Sequence, residues 1–381
     1  MISVSENIYI FGAHTRAQNL YAYFKVLFPQ QKVNGFLYDN EEPNPKKLCG
    51  IDVTALDKIE NGDEKAQIWL AVKSCYFKDI IYRIQGRFLN PIVCVTPEID
   101  NELRNRYAEK VFSEKGLGFL KIYDLLKKSG GEKNETPIVY MANSIYDRQE
   151  YKRTYPFYIV PVQAGAAITD QKTAEIQDNT GDNISVKNRQ YCELTVLYWI
   201  WKNRRDSWVG LCHYRRHFVL SKEEAAAIPS AGVDVILPVP SICQPTIGEN
   251  YRKRHDKKDW EYLLHLLKKS YTDFYDLAVR IWETQEFGNL YYTCNMFIMK
   301  KAVLDEYCVW LFSILDEMER FGGQKADSYQ NRYPGFLAER LMTLYFIYYR
   351  NKYKIAYIDK VFVSDKNNLS GWELHERFCR L

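Results

Sequence analysis

The sequence predicts an α/β protein built from a Rossmann-like parallel-sheet unit over residues 1–130 and a second α/β unit over residues 137–381. Three observations carry that expectation. Residues 1 to about 130 alternate short apolar runs with amphipathic stretches. A polar, glycine-containing break follows at Lys128-Ser-Gly-Gly-Glu-Lys-Asn-Glu-Thr136. From Pro137 the same alternation resumes, in a chain of 381 residues that is long for one domain.

In the first unit, Ile8-Tyr-Ile-Phe11 reads as a strand, Arg16 to Leu27 as a helix and Val33 to Tyr38 as a second strand. Strands at Ile68–Val72 and Ile92–Val95 flank a helix whose apolar face carries Phe77, Ile80, Ile81 and Ile84. The turn Gly12-Ala-His-Thr-Arg-Ala17 opens the first helix where amides can face a phosphate, and Asp39 ends the second strand where a ribose-binding acid would sit. Only Gly12 of the three glycines in a dinucleotide fingerprint is present, so the turn reads as either a nucleotide site or the packing turn of a degenerate Rossmann-like domain.

In the second unit, Ile138–Met141 and Phe157–Val160 begin as strands, and Gln163-Ala-Gly-Ala-Ala167 follows. A helix is expected from a cap at Asn188 to Asn203, with Tyr191, Leu194, Tyr198 and Trp201 on one face. Trp208–Cys212, Val233–Pro238 and Asn295–Met299 read as strands. Helices follow around Trp260–Tyr271, Val303–Met318 and Leu337–Tyr348.

Composition narrows the classes. A net charge of +4 is too small for a nucleic-acid binder, so no nucleic-acid partner is expected, while local contact with phosphates or an anionic membrane is compatible. Nine scattered cysteines without close metal spacing read as reduced thiols of a cytoplasmic compartment. No stretch approaches about 18 uninterrupted apolar residues, which argues against a membrane span. Thirty tyrosines and eight tryptophans suit a sugar-handling cleft as well as an aromatic core.

Four segments carry candidate chemistry. Asp178-Asn-Thr-Gly-Asp-Asn-Ile-Ser-Val-Lys-Asn188 is the densest polar run, and it suits either sugar hydroxyls or plain turns. At Cys212-His-Tyr-Arg-Arg-His217 a strand runs into cationic groups, which need anionic partners: a diphosphate, matched by the guanidinium forks of Arg215 and Arg216, or a structural salt-bridge network. His213 and His217 without a nearby carboxylate make a weak metal pair. Pro334-Gly-Phe-Leu-Ala-Glu-Arg340 starts a helix and sets Glu339 beside Arg340, as a general base or as an ordinary helix-start carboxylate. Between residues 251 and 270, Lys and Arg outnumber acids seven to three, as in a helix lying on anionic headgroups or one with a solvated face.

Taken together, Val160–Ala167, Asp178–Ser185 with Lys187-Asn188, Tyr191–Thr195, Gly210–Arg216, Asn295–Met299 and Gly335–Leu341 resemble a family of bacterial proteins from capsular polysaccharide and O-antigen gene clusters. That family was long carried as a domain of unknown function and is regarded as glycosyltransferases, galactofuranosyl transfer among them. The resemblance covers residues 137 to about 363. It implies a GT-A-like α/β domain that moves a hexosyl residue, galactofuranose first, from a UDP-sugar to a glycan or polyprenyl-diphosphate-linked acceptor at the inner membrane face, with peripheral contact through residues 251–270. Such folds usually hold manganese or magnesium on an Asp-x-Asp motif. The corresponding strand here ends in His213-Tyr-Arg-Arg216, so no metal ligand is assigned and the arginines take over the positive charge. On this reading Gln163, Asp182, Asn183, Asn188, His213, Arg215 and Arg216 bind the donor. Glu339 is the base of an inverting displacement, and Tyr214, Asn295 and Arg340 serve the acceptor or support the site. A different class of function, a non-catalytic sugar-nucleotide sensor or assembly scaffold, fits the missing motif as well.

Overall fold

A computed structural model describes residues 4–39, 43–59, 65–85, 88, 91–127, 136–147 and 155–362. The chain forms two compact units, Met1–Gly116 with Ile242–Pro245 and Leu117–Ser241 with Thr246–Leu381. Both are α/β, as the alternating pattern predicts.

The first unit is a six-stranded sheet in the order Lys47–Leu48, Ile51–Ala55, Lys32–Tyr38, Asn7–Phe11, Gln67–Leu70, Val93–Cys94. Every pairing is parallel except the short one at the edge between Lys47–Leu48 and Ile51–Ala55. Its central strands bury Ile8, Ile10, Phe36, Ile68, Trp69 and Leu70 completely, as a sheet covered on both faces requires. Helices Thr15–Leu27, Phe77–Ile84 and Pro97–Glu114 supply the cover. Gly12 sits at φ +134°, and a Cβ there would lie 3.0 Å from the Ala71 carbonyl oxygen, so the glycine lets two strand ends approach. Asp39 pairs with Arg83 at 2.7 Å, which engages the acid at the place where a ribose would be read.

The second unit holds a nine-stranded mixed sheet among the described residues. Its main path runs Ile355–Ile358, Val235–Pro238, Phe297–Lys300, Trp208–His213, Ile138–Asn143, Ile159–Gln163, Ile176–Gln177. Phe297–Lys300 lies antiparallel to both of its neighbours, and the other pairings along the path are parallel. Gly210 is where three strands crowd: a Cβ would sit 2.8 Å from the Phe297 carbonyl oxygen and 3.0 Å from a Val139 methyl carbon.

Two expectations change. The segment Leu117–Leu126 already belongs to the second unit, with Ile122 and Leu126 in its core and Lys121 bridged to Tyr357. Of the expected linker, residues 128–135 lie outside the described residues. The single helix expected from Asn188 is two, Asn188–Tyr191 and Leu194–Asn203, broken at Cys192 with φ +50°. Asn188 does not cap: its amide nitrogen donates to the Cys192 carbonyl (2.9 Å) and Thr195 Oγ1 (3.1 Å), which holds the break.

Candidate functional site

The strand Trp208–His213 is buried until its last residue, where apolar pairing ends. A two-residue turn, Tyr214-Arg215, reverses the chain, and Arg216–Phe218 returns to pair with Lys360–Phe362. This hairpin brings His213, Tyr214, Arg215 and Arg216 together at the C-terminal ends of the parallel strands Ile138–Asn143 and Trp208–His213, the side on which open α/β sheets bind ligands. His217 points elsewhere: it is buried beside Tyr155.

The cations lie against rings as well as charge. The Arg215 guanidinium sits 4.7 Å from the Tyr214 ring centroid and 5.5 Å from that of Phe362, and Arg216 lies 5.6 Å from Phe362. Among the described residues neither arginine forms an ion pair within salt-bridge distance. The anion nearest in influence is Asp147, which the sequence reading missed. Burial raises its carboxyl above the ordinary value, while the Ser144 amide, the charges of His213 and Arg215, and the Tyr214 hydroxyl pull it down. Its position, on the turn that follows the first strand of this unit, was a usable signal.

Opposite the hairpin lies the loop before Phe297–Lys300. Cys294 and Asn295 adopt φ +75° and +46°, successive left-handed conformations that cost a non-glycine chain on the order of 1–3 kcal/mol each and are held only where surroundings over-determine them. The surroundings are visible. His213 Nε2 meets the Cys294 carbonyl, and the Cys294 amide donates to Glu339 Oε1 at 2.7 Å. Asn295 Nδ2 donates to Glu193 Oε1 at 2.8 Å. Lys360 reaches Thr293 Oγ1. Burial pushes the Cys294 thiol up, with Lys360 drawing it back and Arg216 adding to that pull. Cys294 therefore joins the cationic hairpin to Glu339 through its own two peptide groups.

Glu339 stands on helix Tyr333–Tyr348, two turns in, where Pro334 at the helix start pre-sets the backbone. Arg340 Nη1 donates to Glu339 Oε2 at 2.9 Å and to the Phe336 carbonyl at 2.8 Å. Arg340 is buried between the Tyr291 and Tyr251 rings, so it fixes Glu339 from behind. Each Glu339 oxygen keeps a second lone pair, and the side chain is one-fifth exposed.

The remaining candidates belong to the loop that follows the strand Ile159–Gln163. Gln163 is fully buried: its oxygen accepts from the Thr173 amide (2.9 Å) and its nitrogen donates to the Gln171 carbonyl (2.6 Å). Asp182 and Asn203 bond each other across the turn, and Asn183 accepts from the Ser185 amide. At the centre of this loop lies Asp178, the first residue of the polar run, whose buried carboxylate accepts from the Gly165 and Ala166 amides and the Ser185 and Thr195 hydroxyls. Gln163 and Asp178 spend their side-chain polarity on the loop, whereas Asp182 bonds Asn203 through its main chain and its carboxylate stays exposed, accepting from Tyr198.

Among the described residues no group of three or more His, Cys, Asp or Glu side chains is arranged to hold a metal ion. The hairpin itself offers two guanidinium groups, an imidazole and a phenol and no carboxylate, a donor set that does not fit a hard divalent cation. In the basic stretch, Arg252 is taken by Glu283 (2.8 and 3.0 Å), while Lys253, Arg254, Lys257 and Lys258 are exposed. No described helix is long and apolar enough to cross a membrane.

Comparison with known proteins bears on this cluster. A family model described as a domain of unknown function, DUF4422, matches residues 145–351, more than half of the chain. The chain belongs to the DUF4422 family. The matched span includes Asp147, the 213–216 hairpin, the Cys294 loop and Glu339, and it stops short of Lys360. The chain is also similar to the apo structure of WbbM, described as a bifunctional glycosyltransferase, at 26% identity with a TM-score of 0.52, over 61% of this chain and 46% of that one. This DUF4422 protein thus spans less than half of that relative's length. No curated protein matches it significantly.

Proposed function

We propose that the second unit transfers a hexosyl residue, galactofuranose first among candidates, from a UDP-sugar to a glycan or polyprenyl-diphosphate-linked acceptor of a surface polysaccharide. The observation that carries the reading is Cys294, whose carbonyl meets His213 and whose amide meets Glu339, so that one residue separates a cationic hairpin from a carboxylate that is one-fifth exposed. Likeness to a glycosyltransferase supports the reaction class.

The chemistry follows from charge. As the bond from the sugar's anomeric carbon to the diphosphate breaks, negative charge grows on the leaving oxygen. Arg215 and Arg216, with His213 beside them, are already oriented toward that charge and lower the barrier without reorganising. Glu339 takes the proton of the acceptor hydroxyl as its oxygen bonds the anomeric carbon from the opposite face, which inverts the centre. UDP leaves with its negative charge on the arginines. The exposed lysines near residues 253–258 would hold the protein against anionic lipids, where a lipid-linked acceptor resides.

A thermal-shift screen of UDP-, GDP-, CMP- and dTDP-sugars, with manganese or a chelator, is expected to single out a UDP-sugar. Glu339→Gln should keep that shift and lose turnover by about 10²–10⁴-fold. Near-normal turnover in Glu339→Gln would remove it as the base. UDP-sugar binding without any turnover in the unaltered protein would favour a sensor or scaffold.

A further inference from the structure

One turn before Glu339, the same helix begins in an aromatic cluster that the transfer chemistry leaves unused. His255 packs on Phe336 with ring centroids 4.1 Å apart, and Tyr329 completes the group at 5.1 Å from Phe336 and 5.6 Å from His255. Arg332 lies 5.6 Å from the Phe336 ring. Tyr329 is 49% exposed, an unusual state for a ring with such neighbours.

The exposure is built. Asp327 Oδ1 accepts from the Tyr329 and Gln330 amides (2.8 and 2.9 Å). Gln330 Nε2 donates to the Arg254 carbonyl (3.0 Å) while its oxygen accepts from the Asp256 amide (3.1 Å), and Asn331 accepts from the Lys325 amide (2.9 Å). Lys325 in turn pairs with Asp256 and Asp259. A loop so fastened holds the tyrosine in place instead of letting it fold onto apolar surface.

The cluster is tied to the residues around Glu339. Arg332 donates from Nε to Cys192 Sγ (3.0 Å), its only side-chain hydrogen bond among the described residues, and Cys192 neighbours Glu193, which holds Asn295. Phe336 gives its carbonyl to Arg340, the partner of Glu339. A flat ring beside a guanidinium with donors to spare matches one kind of occupant, a sugar ring. Its C–H face is apolar and buries against an aromatic face, while its rim of hydroxyls accepts from donors at the edge. A lipid chain would leave the guanidinium unused.

We infer that Tyr329, Phe336 and Arg332 form the acceptor subsite and hold a saccharide ring so that one hydroxyl reaches Glu339. This deepens the glycosyl-transfer reading and rests on it only for the hydroxyl's fate.

The test uses the whole chain and saturation-transfer NMR with the methyl glycosides of galactose, glucose, mannose, rhamnose and N-acetylglucosamine, each with UDP present. At least one should show contact through its ring C–H protons. Tyr329→Ala should weaken that binding roughly ten-fold, and Tyr329→Phe should preserve it. UDP titration of each variant serves as the control for folding and for the donor side. Equal binding by Tyr329→Ala, or no binding of any glycoside to unaltered protein that binds UDP, overturns the subsite and leaves glycosyl transfer standing. Glycoside binding by protein that ignores every UDP-sugar sinks the transfer reading and keeps the subsite.

Discussion

Two regions of the second unit look equally polar in the sequence and behave differently in the fold. The loop from Gln163 to Asn188 turns its polar groups on itself: four donors converge on Asp178, and Gln163, Asp182, Asn183 and Asn188 each bond within or just beyond the loop. Among the described residues the arginines of the hairpin from His213 to Arg216 form no ion pair, and they rest on aromatic rings. The difference teaches that polar density along a chain does not tell whether its polar groups are already engaged by one another. The proposed diphosphate site rests instead on positive charge for which the described residues supply little opposite charge, because such charge is costly to assemble unless an anion completes it.

The largest effect should come from the loop. Asp178→Ala leaves two amides and two hydroxyls without their acceptor, and should cost roughly 3–5 kcal/mol in urea unfolding. Were the variant as stable as the unaltered protein, the loop would not be the self-contained element described.

The hairpin should give the opposite pattern. An Arg215→Ala, Arg216→Ala double variant is expected to lower turnover by about 10²–10³-fold with little change in melting temperature. Full turnover would place the diphosphate elsewhere, and collapse of the fold would make the arginines a structural network.

Asp147 sharpens the comparison with a smaller effect. Burial raises its carboxyl, so the folded state holds its proton more tightly than the unfolded chain. The stability this contributes is fully present below the ordinary carboxylate pKa and is lost as pH rises through the raised value. Asp147→Asn should therefore be more stable than the unaltered protein near neutral pH, with the gain disappearing in acid, and its turnover should fall. A variant destabilised at neutral pH would show that Asp147 is structural, like Asp178.

Much of the fold was legible because apolar period reports it directly: the first strand, Phe77–Ile84, and the helices after Lys257, Lys301 and Tyr333 lie close to where the pattern puts them. Helix Pro97–Glu114 escaped although Thr96-Pro97-Glu98 is a start signal and Thr96 does cap it, because its apolar residues form no clean stripe. The break at Cys192 escaped because a positive φ at a cysteine is dictated by Asn188 and Thr195 closing around it, not by local preference. At the site, the 213–216 segment, Asn295 and Glu339 stood out by residue type. Asp147, Glu193, Arg332 and Lys360 did not, since each is an ordinary charged residue until the chain returns it to the others.

The sequence by itself determined the α/β architecture, the strand that runs into arginines and the helix that carries Glu339, because periodicity and abrupt changes in polarity are local properties. Only the tertiary structure decided which polar residues were already engaged by one another and which converged at one end of the sheet. Those choices depend on hydrogen bonds between residues as far apart as His213 and Cys294 or Cys294 and Glu339, and no spacing along the chain encodes them.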